Sequence, residues 1–219
     1  MPRGPVVHAR TAVTPRASLG GSKRPAREAA KDAVRAVVAA NAPPDVVERR
    51  VRALESHAWA REDLERWSNG VWRVVHSTAP PPSNGVIGPF RGESFQVVDV
   101  ASRRYENALS VPPESWLRVA LAARYETTER VDVWKVTFES VEVRVFDRFV
   151  VLRKEWGDGE ATRVWRTTFV DEDVRVVRAG RTLEAVEGGR ARGRNAVAGD
   201  EDDCLFVMTR EVPWWEIPA

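Results

Sequence analysis

The chain of 219 residues and 24.5 kDa is 43% apolar and 30% charged, with 14 glycines and 14 prolines. That is an ordinary globular balance with length enough for a sizeable core. No run approaches about 18 apolar residues, which excludes a membrane-spanning helix. The single cysteine, Cys204, excludes an internal disulfide framework and a cysteine-based zinc cluster, and His8, His57 and His76 leave little for a metal site. The net charge of +2 is uneven: residues 1–27 carry six basic residues and no acid, so that +6 leaves −4 for the remainder. A mildly acidic body disfavours nucleic-acid binding.

The leader, residues 1–27, is Arg-rich, acid-free and dotted with Ser, Thr, Ala, Gly and Pro, with no apolar h-region. This composition predicts an organelle transit peptide, cleaved near Ala17, rather than a secretory signal. A helical prelude follows over residues 28–67. Ala30, Val34, Val37 and Val38 share one helical face, and Asn41 to Pro44 ends that helix. Asp45 with Glu48 reads as a capping box for a second helix. Val47, Val51, Leu54 and Ala58 form its buried stripe, with Glu48, Arg49, Arg52 and Glu55 on the opposite face.

From Asn69 the period changes to two. Strands are predicted over Val71–Ser77, Phe95–Val100 and Asn107–Val111, with a rigid loop over Pro80–Asn84 after the first. Leu117, Val119, Leu121, Ala123 and Tyr125 alternate with Arg118, Ala120, Ala122 and Arg124, the cleanest half-buried strand in the chain. Across Val131 to Val145 the apolar phase flips twice, which predicts bulges or a sharp bend. Val164–Val170, Val174–Arg178 and Leu205–Arg210 complete about eight antiparallel strands. Between the last two lies a polar insert, residues 180–203, without apolar periodicity and expected to be mobile. The expected fold is mainly β, a closed antiparallel barrel or a sandwich behind two N-terminal helices.

The residues that could carry chemistry are few. There is no nucleophile elbow, no phosphate loop and no metal-ligand spacing. His76 reads as a strand-end residue, and Asp171, Glu172 and Asp173 as a turn cluster, so no catalytic residue, metal or cofactor is expected. Tryptophan is the more telling residue: nine of them stand against two tyrosines. Its large apolar body and single N–H suit cores, cavities and lipid interfaces. Trp214 and Trp215, in a Pro-flanked tail over residues 213–219, are candidates for contact with a lipid surface.

Gly70-Val71-Trp72 resembles the G-x-W opening of lipocalin-type barrels, and Arg210 is positioned to lie across Trp72 as the terminal Arg does in those folds. Read together, several blocks resemble the plastid lipid-associated proteins, or plastid fibrillins. These are Asn69 to Thr78, Gly85 to Phe90, Phe95 to Asp99, Asn107, Ala123 to Glu126, Val131 to Phe138, Thr167 to Arg178 and Leu205 to Arg210. The chain departs from the family in its 180–203 insert and in His76, where an aromatic is more typical.

The resemblance implies a lipocalin-like β-barrel of about eight strands over residues 68–212, a plastid location, and association with plastoglobule or thylakoid lipid. Members are regarded as structural or lipid-handling proteins rather than enzymes. Inward residues Leu121, Tyr125, Phe138, Phe169 and Val176 are expected to line an apolar cavity for an acyl lipid, prenylquinone or carotenoid, with Trp72 and Arg210 closing the barrel. The alternatives are a coat on lipid droplets, a scaffold that docks a lipid-biosynthetic enzyme through the prelude or the insert, and a small-lipid enzyme using His76 or the Asp171–Asp173 cluster.

Overall fold

The computed structural model describes residues 23–57, 61–113, 115–146, 148–157, 160–183, 186 and 204–211. Helix α1 (Lys23–Ala39) begins five residues inside the segment expected as leader. Asn41, at a φ of 48°, ends it: the Ala42 N–H reaches Val37 O and the Asn41 N–H reaches Val38 O, both at 3.0 Å, a Schellman motif. Helix α2 (Pro44–Glu55) does not use the expected capping box. It starts one residue before Asp45, at Pro44, whose fixed φ and missing N–H suit a first helical position. Asp45 instead pairs with Arg49 at 2.6 Å. A 3-10 turn (Arg61–Asp63) and a short helix α3 (Leu64–Ser68) lead into the sheet.

The strands are β1 (Gly70–Ser77), β2 (Val86–Ile87), β3 (Phe90–Arg91), β4 (Glu93–Asp99), β5 (Arg104–Val111), β6 (Leu117–Thr127), β7 (Val133–Val145), β8 (Phe149–Glu155), β9 (Thr162–Val170), β10 (Val174–Gly180) and β11 (Cys204–Arg210). Apart from the β2–β3 ribbon they form one antiparallel sheet in the order β6-β5-β4-β1-β11-β10-β9-β7-β8, and an additional β6–β7 pairing curves it into a ring. Strand β7 is shared: residues 133–137 pair with β9, and residues 140–145 pair with β8. Between the two stretches Glu139 is the extra residue of a bulge opposite Ala122 and Ala123, at the second of the expected phase flips. Strand β8 was not anticipated. Its Phe-Val-Val-Leu run has no alternation, and every residue of it is exposed.

Two cores sandwich the β9–β11 wall. One fills the ring and contains Trp72, Tyr105, Tyr125, Trp134, Trp165, Phe206 and Met208. The other lies outside the ring, where Val34, Val47, Val51 and Leu54 from α1 and α2 meet Phe169, Val174, Val176, Leu205 and Val207. Strand β10 is therefore buried along its whole length. Phe169 and Val176, expected to line the interior, face the helices instead. They are register partners, and a bulge at Thr168 moves Phe169 to the outer face.

Polar clasps hold the helices in place. Glu48 and Glu55, expected on the solvent face of α2, both turn to Arg178. Its Nε donates to Glu55 and its Nη2 to Glu48, each at 2.9 Å. Burial alone would lower the Arg178 pKa, but the two carboxylates raise it. On α1, fully buried Lys31 reaches Asp171 at 2.9 Å and Asp173 at 2.8 Å. Arg35 reaches Asp173 at 2.8 Å. Burial would raise the Asp173 carboxyl, but Lys31 and Arg35 outweigh it and hold the group below its usual range.

Candidate ligand-binding interior

One end of the ring is closed. Trp72 and Arg210 are register partners on β1 and β11, and the guanidinium carbon lies 4.0 Å from the centre of the indole. The Trp72 Nε1–H donates to Ser68 O at 2.8 Å, so α3 is tied to the same end. Arg210 donates to three backbone carbonyls: Asn69 O at 2.8 Å, Glu172 O at 2.6 Å, and Trp67 O. Burial brings its pKa down to about 10, against the opposing pull of Asp171 and Asp173.

The middle of the ring is packed with aromatic side chains. Tyr125 stacks on Trp134 with centroids 4.1 Å apart, and Trp165 lies between Phe206 at 5.2 Å and Tyr105 at 5.0 Å. Tyr125 thus belongs to the filled part of the interior. Burial pushes its hydroxyl up to about 12. Arg175 stands among these rings, fully buried, with its guanidinium carbon 5.4 Å from the Trp134 ring centre. Its Nη1 donates to Gln96 Oε1 at 3.4 Å. Gln96 is itself the register partner of Trp72 on one side and of Asn107 on the other.

Beyond the aromatic layer the interior opens. An apolar cavity of about 220 Å³ is bounded by Val74, Leu109, Val119, Leu121, Val141 and Trp156, with Pro82, Ser94 and Asn107 at its border. A second, of about 190 Å³, reaches Phe138, Arg163, Trp165, Cys204 and Phe206, and shares Ser83, Asn107 and Leu121 with the first. Of the residues predicted to line a cavity, Leu121 borders both spaces and Phe138 one. Trp214 and Trp215 lie outside the described residues, as do most of the 180–203 insert, residues 1–22 and Ala58.

His76 is on the outer face, in register with Val207 beneath the helices. Burial lowers its pKa while Glu48 opposes the shift. Asp171 caps the β9–β10 turn, accepting from the Asp173 and Val174 amides at 3.1 and 3.0 Å. The acidic cluster therefore serves the turn and α1.

Two features escaped the sequence reading. Arg175 in Val-Arg-Val-Val-Arg has the look of a solvent-facing strand residue, yet it points into the ring. The second is the β7–β8 hairpin, where Phe146, Phe149, Val150, Val151 and Leu152 are 50–68% exposed. Register partners Val143 and Leu152 share a face with Val119, a cavity residue, so this apolar surface continues the inner wall of the ring outward.

Among the described residues no helix is long and apolar enough to cross a membrane. In comparisons with known proteins, no family model matches the chain and no curated protein matches it.

Proposed function

We propose that the protein is a non-enzymatic lipid-associated protein of the plastid fibrillin type, a lipocalin-like barrel that holds one small hydrophobic molecule. The observation that carries this reading is the apolar cavity around Leu121, inside a ring whose other end is sealed by Trp72 and Arg210. Each methylene transferred from water into such a space contributes about 0.8 kcal/mol, so a short acyl or prenyl segment suffices for useful affinity. The Arg-rich, acid-free leader supports a plastid location.

The test uses the full chain, exposed to a total plastid lipid extract, repurified and weighed by native mass spectrometry. One discrete lipid adduct per chain is expected for the wild type. Leu121→Arg, which places a charge against the cavity wall, is expected to retain none while keeping its circular dichroism and melting temperature. A bare wild-type mass, or an adduct undiminished in the variant, overturns the cavity reading.

The hairpin favours a second, compatible role as a contact with a lipid surface. Phe146, Phe149 and Leu152 are exposed beside Arg148, Arg153 and Lys154, which are exposed as well. Apolar side chains flanked by cations suit the boundary of an anionic lipid layer. Flotation with anionic vesicles is expected to fall sharply in Phe149→Ser/Leu152→Ser; equal flotation would remove the hairpin from the contact.

A further inference from the structure

Among the described residues two arginines, Arg175 and Arg178, are buried, and a third, Arg210, is half-buried at the closed end; Arg178 and Arg210 are fully served. Arg178 has two glutamates, and Arg210 has three carbonyls and an indole face. Arg175 is the most deeply buried of the three, and it has the least. Its one hydrogen bond is the long contact to Gln96, and its Nε and Nη2 have no partner among the described residues. Among the described residues the ionisable groups that act on it are Tyr105, Tyr125 and Arg210, none of them a carboxylate.

A buried cation without a counter-charge is among the least favourable arrangements a core can hold, and native chains keep one where something else supplies the charge. The neighbouring unpartnered atoms point the same way. Gln96 Nε2, Tyr125 Oη, Trp134 Nε1 and Trp165 Nε1 are all buried groups able to donate, and all lack a partner among the described residues. What this surplus of donors lacks is an acceptor. Water can satisfy an N–H, but it does not neutralise a guanidinium.

The position of the group relative to the cavities completes the argument. Gln96, which holds Arg175, stands across the ladder from Asn107, a residue of both cavities. Trp165, with its unpartnered indole N–H, borders the smaller one. The apolar space therefore borders one donor of this layer, Trp165, and lies one ladder position from a second, Gln96, behind which the positive charge stands.

We propose that the molecule held by the ring is a single-tailed amphiphile with a carboxylate head, its head paired with Arg175 and its tail lying along Leu121, Val119 and Val141. This rests on the cavity reading above and narrows it from hydrophobic molecules in general to acidic ones. A planar carboxylate matches the two free guanidinium N–H groups as a bidentate partner. In a space shielded from water that pairing is stronger than at a surface.

The experiment titrates the full chain with laurate, with dodecanol as the same tail without charge, and with acetate as the head without a tail. Wild type is expected to bind laurate about 10- to 100-fold more tightly than dodecanol, the range expected of hydrogen bonds to a charged group. Arg175→Met is expected to lose that preference, binding the two probes alike. Equal binding of laurate and dodecanol by wild type, or unchanged laurate affinity in Arg175→Met, overturns the carboxylate site and leaves the cavity reading standing. Acetate bound as tightly as laurate also overturns it, because the site is then a plain anion site with no use for the tail. Binding of neither laurate nor dodecanol overturns both readings together. The wild-type ratio decides the matter on its own if Arg175→Met does not fold.

Discussion

If Arg175 is kept for a ligand, the ligand-free protein should be more stable without it. Arg175→Met with Gln96→Leu removes the buried charge and its one partner together, leaving apolar side chains of similar size. Burial takes the guanidinium from its ordinary value, more than two units higher, down to about 10. At about 1.4 kcal/mol per pH unit, that is a penalty of about 3 kcal/mol on the charged form in the folded protein at neutral pH. The stacking on Trp134 returns about 0.5–2 kcal/mol, and the 3.4 Å bond to Gln96 is too long to return much more.

The net expectation is a double variant more stable by about 1–2 kcal/mol, a rise in melting temperature of about 2–8 °C for a chain of this length. Calorimetry of the lipid-free proteins, with a denaturant titration to confirm matching m-values, reads it directly. The sign with pH is also fixed. Because the folded pKa lies below the unfolded one, the penalty is whole at neutral pH and shrinks as the pH rises through about 10. The advantage of the double variant shrinks with it. A double variant less stable than wild type by about 1 kcal/mol or more refutes the reasoning, since Arg175 would then be holding the ring together rather than waiting for a partner.

Two further outcomes follow from the helix clasps. Asp173 is held below the ordinary 3.8 by Lys31 and Arg35, so its contribution is present above about pH 4 and lost as the pH falls through the lower folded value. Asp173→Asn should flatten that acid limb in urea titrations and, at a half-exposed site, cost about 0.5–1 kcal/mol at neutral pH; an unaltered acid limb would count against the clasp. Arg178→Met leaves Glu55 without its cation and Glu48 with Arg52 alone, and should lower stability by about 3 kcal/mol. Hydrogen exchange should rise first in α1 and α2, and a loss below about 1 kcal/mol would mean that apolar packing alone seats the helices.

The strands were legible where one face is wet. In β6, Leu117, Val119, Leu121, Ala123 and Tyr125 alternate with polar or small residues, and the structure keeps that phase. The partnership of Trp72 and Arg210 was reached through the resemblance to the G-x-W opening and terminal Arg of lipocalin-type barrels, and the register of β1 with β11 sets the two level. Legibility failed where both faces are dry. Strand β10 lies between helices and ring interior, so Val174, Val176 and Val177 look alike in sequence while facing opposite cores. Its arginines are buried one on each side, and no period distinguishes Arg178, clasped by glutamates, from Arg175. One bulge at Thr168 was enough to send Phe169 to the wrong side. Strand β8 failed for the opposite reason: all of its residues are exposed, so no alternation was there to be read.

The sharing of β7 between two neighbours puts a fork in the wall of the ring. The ladder to β9 ends at Thr137 and the ladder to β8 begins at Ser140. At the parting the Phe138 N–H bonds to Ala161 O, and Glu139 O accepts from the Trp156 N–H, each at 2.9 Å. Trp156 borders the larger cavity, and Phe138 and Arg163 border the smaller. On the lipid-holding reading proposed above, a guest entering at this fork would displace the side chains of Phe138 and Trp156 while the β6–β7, β7–β8 and β7–β9 ladders stay paired.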